Sequence, residues 1–198
     1  MCGLTGIFHL ETAKPVDPDR VRAMTDVLAH RGPDGSGVWT AQGVGLGHRR
    51  LSVIDLEGGD QPMATPDGKL VTIFNGEIYN FQDLRRELES HGHVFQTNSD
   101  TEAILHGWRQ WGPHCIEHFH GMFTFALFDA DAQTLFLGRD RLGVKPLYYA
   151  EVSDGSLIFA SELKGLLAHP LLRRRPSEQA IEDYLAFGYV PDDACFVA

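Results

Sequence analysis

The chain has 198 residues, 43% of them hydrophobic and 22% charged, an ordinary globular composition with enough length to bury a sizeable core. Seventeen basic residues against 27 acidic ones give a formal net charge of −10, which disfavours nucleic acid and anionic membrane as partners. Cys2, Cys115 and Cys195 form no C-x-x-C pair and suit a reducing compartment, and no apolar run approaches a membrane span or a signal segment, so a cytoplasmic protein is expected.

The chain opens Met1-Cys2-Gly3-Leu4-Thr5-Gly6-Ile7-Phe8. Cys2 is small enough for the initiator methionine to be clipped, leaving a thiol and an α-amine on one residue. Their ordinary pKa values are about 8.5 and about 7.7–8.0, so near neutrality each is partly in its reactive form and the amine can take the thiol's proton. Alternation of Leu4, Gly6 and Phe8 against Thr5, Ile7 and His9 predicts a buried strand that fixes the position of its first residue.

Residues 18–30 follow as a helix with Val21, Met24, Val27 and Leu28 on one stripe, stopped by Gly32-Pro33. A turn-rich loop spans 30–37, strand-like alternation runs over 43–55 around His48-Arg49-Arg50, and 58–62 is a loop. The buried strand 70–74 runs into Asn75-Gly76-Glu77. Asn80 then fits the N-cap of a helix carrying Phe81, Leu84 and Leu88, and Ser99-Asp100-Thr101-Glu102 fits a capping box for the next one. Strands are predicted over 122–128, 134–137, 147–150 and 157–160, and short helices over 162–168 and 177–187. Hairpin-length connections between strands, with two helices in the middle, predict a layered α+β sandwich.

Acyl transfer on Cys2 needs oxyanion donors, and Asn75-Gly76 offers a side-chain amide and a backbone N–H. A plain N-G turn is the competing reading, although a helix and not a returning strand follows. An amino-acid substrate also needs a cation for its carboxylate and an anion for its ammonium. Arg50 is the best-placed cation, with Arg31 and Arg49 as rivals. Asp100 fits the ammonium, or else simply complements the dipole of its helix. No metal-ligand spacing stands out among the ten histidines, so no metal is expected. Residue chemistry leaves the other choices open.

Eight collinear motifs narrow them. Cys2-Gly3 through Gly6-Ile7-Phe8, His30-Arg31-Gly32-Pro33-Asp34-Gly35, and His48-Arg49-Arg50-Leu51-Ser52-Val53-Ile54-Asp55 resemble the start of glutamine-using asparagine synthetases of the B type. Phe74-Asn75-Gly76-Glu77-Ile78-Tyr79-Asn80, Ser99-Asp100-Thr101-Glu102, Gly121-Met122-Phe123, and Asp140-Arg141-Leu142-Gly143-Val144-Lys145-Pro146-Leu147-Tyr148-Tyr149 continue the likeness, and Ser161-Glu162-Leu163-Lys164 closes it.

The resemblance implies an N-terminal-nucleophile hydrolase fold, a four-layer α-β-β-α sandwich with two antiparallel sheets. It implies L-glutamine as substrate and Cys2 as nucleophile, with Arg50 on the α-carboxylate and Asp100 on the α-ammonium. Asn75 and Gly76 match the oxyanion hole, Glu77 lines the site, and the loop of Arg31 and Asp34 supports the nucleophile. It further implies a glutaminase domain over 1–190, with 191–198 beginning a linker to a synthetase domain in cis that accepts the ammonia. That domain's pyrophosphate loop, S-G-G-x-D-S, is absent from this sequence. ATP and Mg²⁺ belong there, and no cofactor is expected here. The apolar residues of 180–189 would face that domain, and a homodimer is allowed. The alternative keeps the same glutaminase domain but feeds a sugar, peptide or cell-surface precursor. A non-catalytic scaffold is the remaining reading.

Overall fold

Alternation along each strand decides which layer its side chains enter. The computed structural model describes residues 1–10, 14–191 and 195–197. The elements in order are β1 (Gly3–His9), α1 (Pro18–Asp26), β2 (Gly35–Ala41), β3 (Val44–Arg50), β4 (Met63–Ala64), β5 (Leu70–Ile78), α2 (Phe81–Ser90), α3 (Asp100–Trp111) and α4 (Cys115–His118). Then come β6 (Gly121–Asp129), β7 (Thr134–Arg139), β8 (Tyr148–Glu151), β9 (Ser156–Ala160), α5 (Leu163–Leu167) and α6 (Glu178–Phe187). The strands form two antiparallel sheets, ordered β2-β3-β1-β9-β8 and β4-β5-β6-β7.

Leu4, Leu46, Val71, Ile73, Ala126, Phe128 and Phe159 meet between the sheets. The outer face of the first sheet packs Ile7, Ile158 and Ala160 with Val21, Met24 and Leu166 of α1 and α5. The outer face of the second packs Phe74, Ile78, Phe123 and Phe125 with Leu84, Ile104 and Leu105 of α2 and α3. The order of layers is therefore α-β-β-α, as the resemblance implies.

Several boundaries differ from the sequence reading. β2 occupies the second half of the expected loop and its continuation, an edge strand whose Trp39 packs on Phe128 at 5.9 Å between ring centroids. β3 stops at Arg50, and beyond it Val53 and Leu56 are exposed, so their alternation belongs to a loop. β5 continues through Asn75-Gly76-Glu77 to Ile78, paired with β6 throughout, and the turn reading of Asn75-Gly76 fails. Asn80 makes no side-chain capping bond among the described residues. Its side chain donates to His118 O and accepts from His120 N–H, stitching the start of α2 to the segment before β6.

Glu102 does not close a capping box either: it accepts from the Gln96 and Thr97 N–H groups, while Ser99 Oγ accepts from Thr101 N–H. In the segment 191–198, residues 192–194 and 198 lie outside the described residues. The Ser177 N–H donates to Phe196 O at 2.9 Å. No helix among the described residues is long and apolar enough to cross a membrane.

Candidate active site

The inter-sheet positions change character at one end of the sandwich. In β3 the inward series is Val44, Leu46, His48, Arg50, and in β5 it is Val71, Ile73, Asn75, Glu77, so apolar side chains give way to polar ones in step. β1 reaches the same end, with Gly3 opposite Arg49. A cavity of about 160 Å³ opens there, lined by Cys2, Arg50, Asn75, Gly76, Glu77 and Asp100. Six of the residues singled out in the sequence thus meet in one place.

Cys2 is half-buried, immediately before β1. Its Sγ accepts from the Leu51 N–H at 3.3 Å and lies 3.6 Å from Leu51 O. Arg31 and Asp34 stay out of the cavity and brace its walls. Arg31 Nε donates to Cys2 O at 2.8 Å while its Nη1 pairs with Glu162 at 2.8 Å. Burial works against ionising Glu162, but Arg31, His30 and Lys164 outweigh it and hold the carboxyl down at about 2. Asp34 accepts from the Ser52 N–H at 2.9 Å and so ties down the chain just beyond Leu51. The other rival cation, Arg49, pairs with Asp26.

Arg50 alone of the three arginines lines the cavity, and its guanidinium is heavily engaged. Nη1 donates to Leu56 O and to Asp60 Oδ1 at 2.8 Å, and Nη2 donates to Asp55 O and Ile54 O. The loop 54–60 is wrapped around this one side chain. Asp60 itself is exposed, so its carboxylate is the replaceable partner.

Asp100 lies across the cavity at the N-terminus of α3 and is 5% exposed. Its Oδ2 accepts from the Ile78 N–H at 3.1 Å. Burial pushes the Asp100 carboxyl up to about 6 against the pull of that bond, and the charge of Glu77 adds to the rise. Two carboxylates sharing a wall, with Asp100 held by backbone N–H donors, make a receptor for a cation.

Asn75 is buried and its Nδ2 has no hydrogen-bond partner among the described residues. An orphaned donor lining a cavity is costly unless a ligand oxygen satisfies it. Gly76 is dictated by packing, because a Cβ there would strike the Met122 carbonyl oxygen and the Phe123 Cα of β6. Antiparallel pairing turns the Gly76 N–H away from β6, toward the free edge of β5.

The sequence reading gives no role to Gln61 or Lys145, which also line the cavity. Gln61 Oε1 accepts from the Phe74 N–H at 2.6 Å. Lys145 is buried, with Nζ 3.1 Å from Met1 Sδ. His48 carries no function on sequence grounds either, and its continuation of the Val44, Leu46 alternation is the signal that marks it as core-facing. Nothing in the local sequence marks Gln61, whose role depends on where its loop returns.

The sequence matches the family described as "Glutamine amidotransferase domain" over residues 1–198. It is 44% identical over 190 residues to asparagine synthetase [glutamine-hydrolyzing] 3 of Bacillus subtilis, an alignment covering 95% of this chain and 31% of that protein. It is 38% identical over 167 residues to asparagine synthetase B [glutamine-hydrolyzing] of Escherichia coli, covering 84% of this chain and 30% of that one. The chain thus spans about a third of the length of these relatives. Among solved structures, the B. subtilis glutamine phosphoribosylpyrophosphate amidotransferase complexed with ADP and GMP superposes with a TM-score of 0.69 at 21% identity, over 84% of this chain and 43% of that one, a likeness of fold.

Proposed function

This chain belongs to the glutamine amidotransferase domain family, and on that premise we propose that it hydrolyses the side-chain amide of L-glutamine through Cys2. The observation that carries the reading is the convergence of Cys2 and the unpartnered Asn75 Nδ2 on one cavity that also holds Arg50, Glu77 and Asp100. A zwitterionic amino acid fits that charge distribution, with its carboxylate on Arg50 in place of Asp60 and its ammonium on Asp100 and Glu77.

The chemistry requires Cys2 to be the first residue, since the α-amine is the base. The amine takes the thiol proton as sulfur attacks the amide carbon, and the oxyanion forms against the Asn75 Nδ2 and the Gly76 N–H. The ammonium so formed returns the proton to the departing nitrogen, which leaves as ammonia. Water, deprotonated by the same amine, then adds to the thioester and releases glutamate and the thiol. Arg31 holds the Cys2 carbonyl through this cycle, and Asp34 holds the loop against which the sulfur rests.

The curated relatives are asparagine synthetases, so we place this segment in such an enzyme, with residues 1–190 as its glutaminase domain and 191–198 leading toward an acceptor domain. ATP and Mg²⁺ would act there, in activating aspartate for the ammonia. Exposed Ile181, Tyr184, Leu185 and Phe187 on α6 supply an apolar face for that partner. A cytoplasmic setting suits a working free thiol. The test is ammonia release from glutamine by the chain lacking Met1. Release that is lost in Cys2→Ala and in protein retaining Met1 is expected. Equal rates with and without Met1 would refute the α-amine as base, and unaltered release by Cys2→Ala would refute the nucleophile.

A further inference from the structure

We infer that His48 and Gln61 act as a substitute strand along the free edge of β5 and are positioning residues for the Asn75 and Gly76 donors. The inference rests on the glutaminase reading above. β5 pairs with β6 on one side along its whole length, but on the other side, among the described residues, only the two-residue β4 covers it, with Met63 opposite Thr72 and Ala64 opposite Val71. Continuing that register by two residues puts Gln61 opposite Phe74. The pairing of β4 with β5 nevertheless ends at Met63, and Gln61 meets Phe74 through its side chain.

Side chains take over from that point. Gln61 Oε1 accepts the Phe74 N–H at 2.6 Å, and His48 Nε2, from the facing sheet, lies 3.0 Å from Phe74 O. A carbonyl only accepts, so Nε2 carries the proton and the ring has one assigned tautomer. Burial drives His48 down to about 4, with Arg50 adding to the fall and the Phe74 bond opposing it, which keeps the ring neutral throughout the physiological range. Gln61 Nε2 also reaches Thr101 Oγ1 at 3.4 Å, beside Asp100.

The N–H groups of Phe74, Gly76 and Ile78 all point to this edge by the alternation of the ladder. Phe74 is held by Gln61 and Ile78 by Asp100, while Gly76 between them has no side-chain partner of this kind among the described residues. The edge is pinned on both sides of the one N–H left free for an oxyanion. A true strand here would have consumed that N–H. Side-chain substitutes satisfy its neighbours and leave it open.

The experiment compares Gln61→Leu with Gln61→Glu, and His48→Asn with His48→Gln, in the processed protein. Glu keeps an acceptor for Phe74 N–H and Gln keeps a donor near the Nε2 position, whereas Leu and Asn remove them. Gln61→Leu and His48→Asn are expected to lower kcat about 10- to 100-fold, with KM for glutamine within about threefold and Cys2 alkylation by iodoacetamide unchanged. Gln61→Glu and His48→Gln should recover most of kcat. Phe74 amide exchange should be slow in the wild type and fast in Gln61→Leu. A rise in KM at constant kcat, equal damage in both members of each pair, or unchanged Phe74 exchange would overturn the inference. A wild type that releases no ammonia would refute the glutaminase reading instead, and the exchange comparison would then still decide whether Gln61 holds the edge. If Gln61→Leu does not fold, the His48 pair separates the same outcomes.

Discussion

Replacing Asp100 by Asn should weaken substrate binding and strengthen the fold at the same time. Asn is nearly isosteric and keeps an oxygen for the Ile78 N–H, now 3.1 Å from Asp100 Oδ2. The folded protein holds this carboxyl at about 6, raised from 3.8 chiefly by burial. A rise of about 2 in pKa corresponds to about 3 kcal/mol between the protonated and ionised forms. Because the folded value is the higher one, the contribution to stability is fully present below about 4 and is lost as pH rises through about 6. At pH 7 the ionised carboxylate is therefore a liability that Asn removes.

The new amide N–H must find a partner in a buried wall, which returns about 1–2 kcal/mol of the gain. A net of about 1–2 kcal/mol remains, or about 2–8 °C in Tm for a domain of this size. Thermal unfolding of both proteins from pH 4 to pH 8 is the assay, with the Asn advantage growing between pH 4 and pH 7. Steady-state kinetics on the same samples should show KM for glutamine raised about 10- to 150-fold by loss of a charge-assisted bond worth about 1.5–3 kcal/mol. Wild-type KM should also climb below about pH 6, with no such climb in the variant. A stability difference independent of pH, or a KM unmoved by the substitution, would refute this account of Asp100.

An electrophilic glutamine analogue should label Cys2 and spare Cys115, whose thiol is buried and pushed up to about 12 by that burial; peptide mapping that found Cys115 labelled would refute this. Asn75→Ala should lower kcat by about 10²–10³ with little change in KM, and steady-state kinetics showing a change in KM alone would rule out the oxyanion role. Asp60→Ala should lower KM by up to about fivefold, because it removes an exposed competitor for Arg50 worth about 1 kcal/mol at most; a raised KM would mean that Asp60 helps to hold Arg50 in place. Gly76→Ala should fail to give folded protein, and a cooperative melt near the wild-type Tm would contradict the close approach of β6.

What was legible in the sequence follows how local each interaction is. A layered α+β sandwich could be read from periodicity because Leu4, Leu46, Ile73 and Phe128 mark an inward face in each strand without knowledge of the partner strand, whereas the count of four layers came from the resemblance. Cys2, Arg50, Asn75, Gly76 and Asp100 were legible as candidates because their chemistry is distinctive. Arg50 was the best-placed cation in the sequence, and tertiary structure adds that it lines the cavity while Arg31 pairs with Glu162 and the Cys2 carbonyl and Arg49 with Asp26. Local rules also misled. Asn75-Gly76 has turn chemistry but sits in a strand, since pairing with β6 outweighs the preference of the dipeptide. Asn80 has cap chemistry but spends its side chain on residues 118 and 120, and Glu102 holds the incoming loop instead of the helix start.

The placement of the site follows from the way the sandwich ends. Apolar side chains glue the two sheets over most of their overlap, and a reacting centre inserted there would cost packing. At the end where Cys2 precedes β1, Arg50 finishes β3 and Asn75 nears the end of β5, the inward positions no longer have a full layer opposite them. Polar groups can occupy those positions because loops 51–62 and 96–99, and not another sheet, complete their surroundings. That arrangement makes the site dependent on long-range side-chain bonds: Asp55 accepts from the Asn98 N–H at 2.7 Å and Gln61 from the Phe74 N–H at 2.6 Å. The Arg50 and Asp100 walls are joined through Asp55, whose backbone oxygen also accepts from Arg50. The two-sheet core thus holds Cys2, Asn75 and Gly76 in fixed register, and in the proposed reaction a substrate carboxylate would take the place of Asp60 on Arg50.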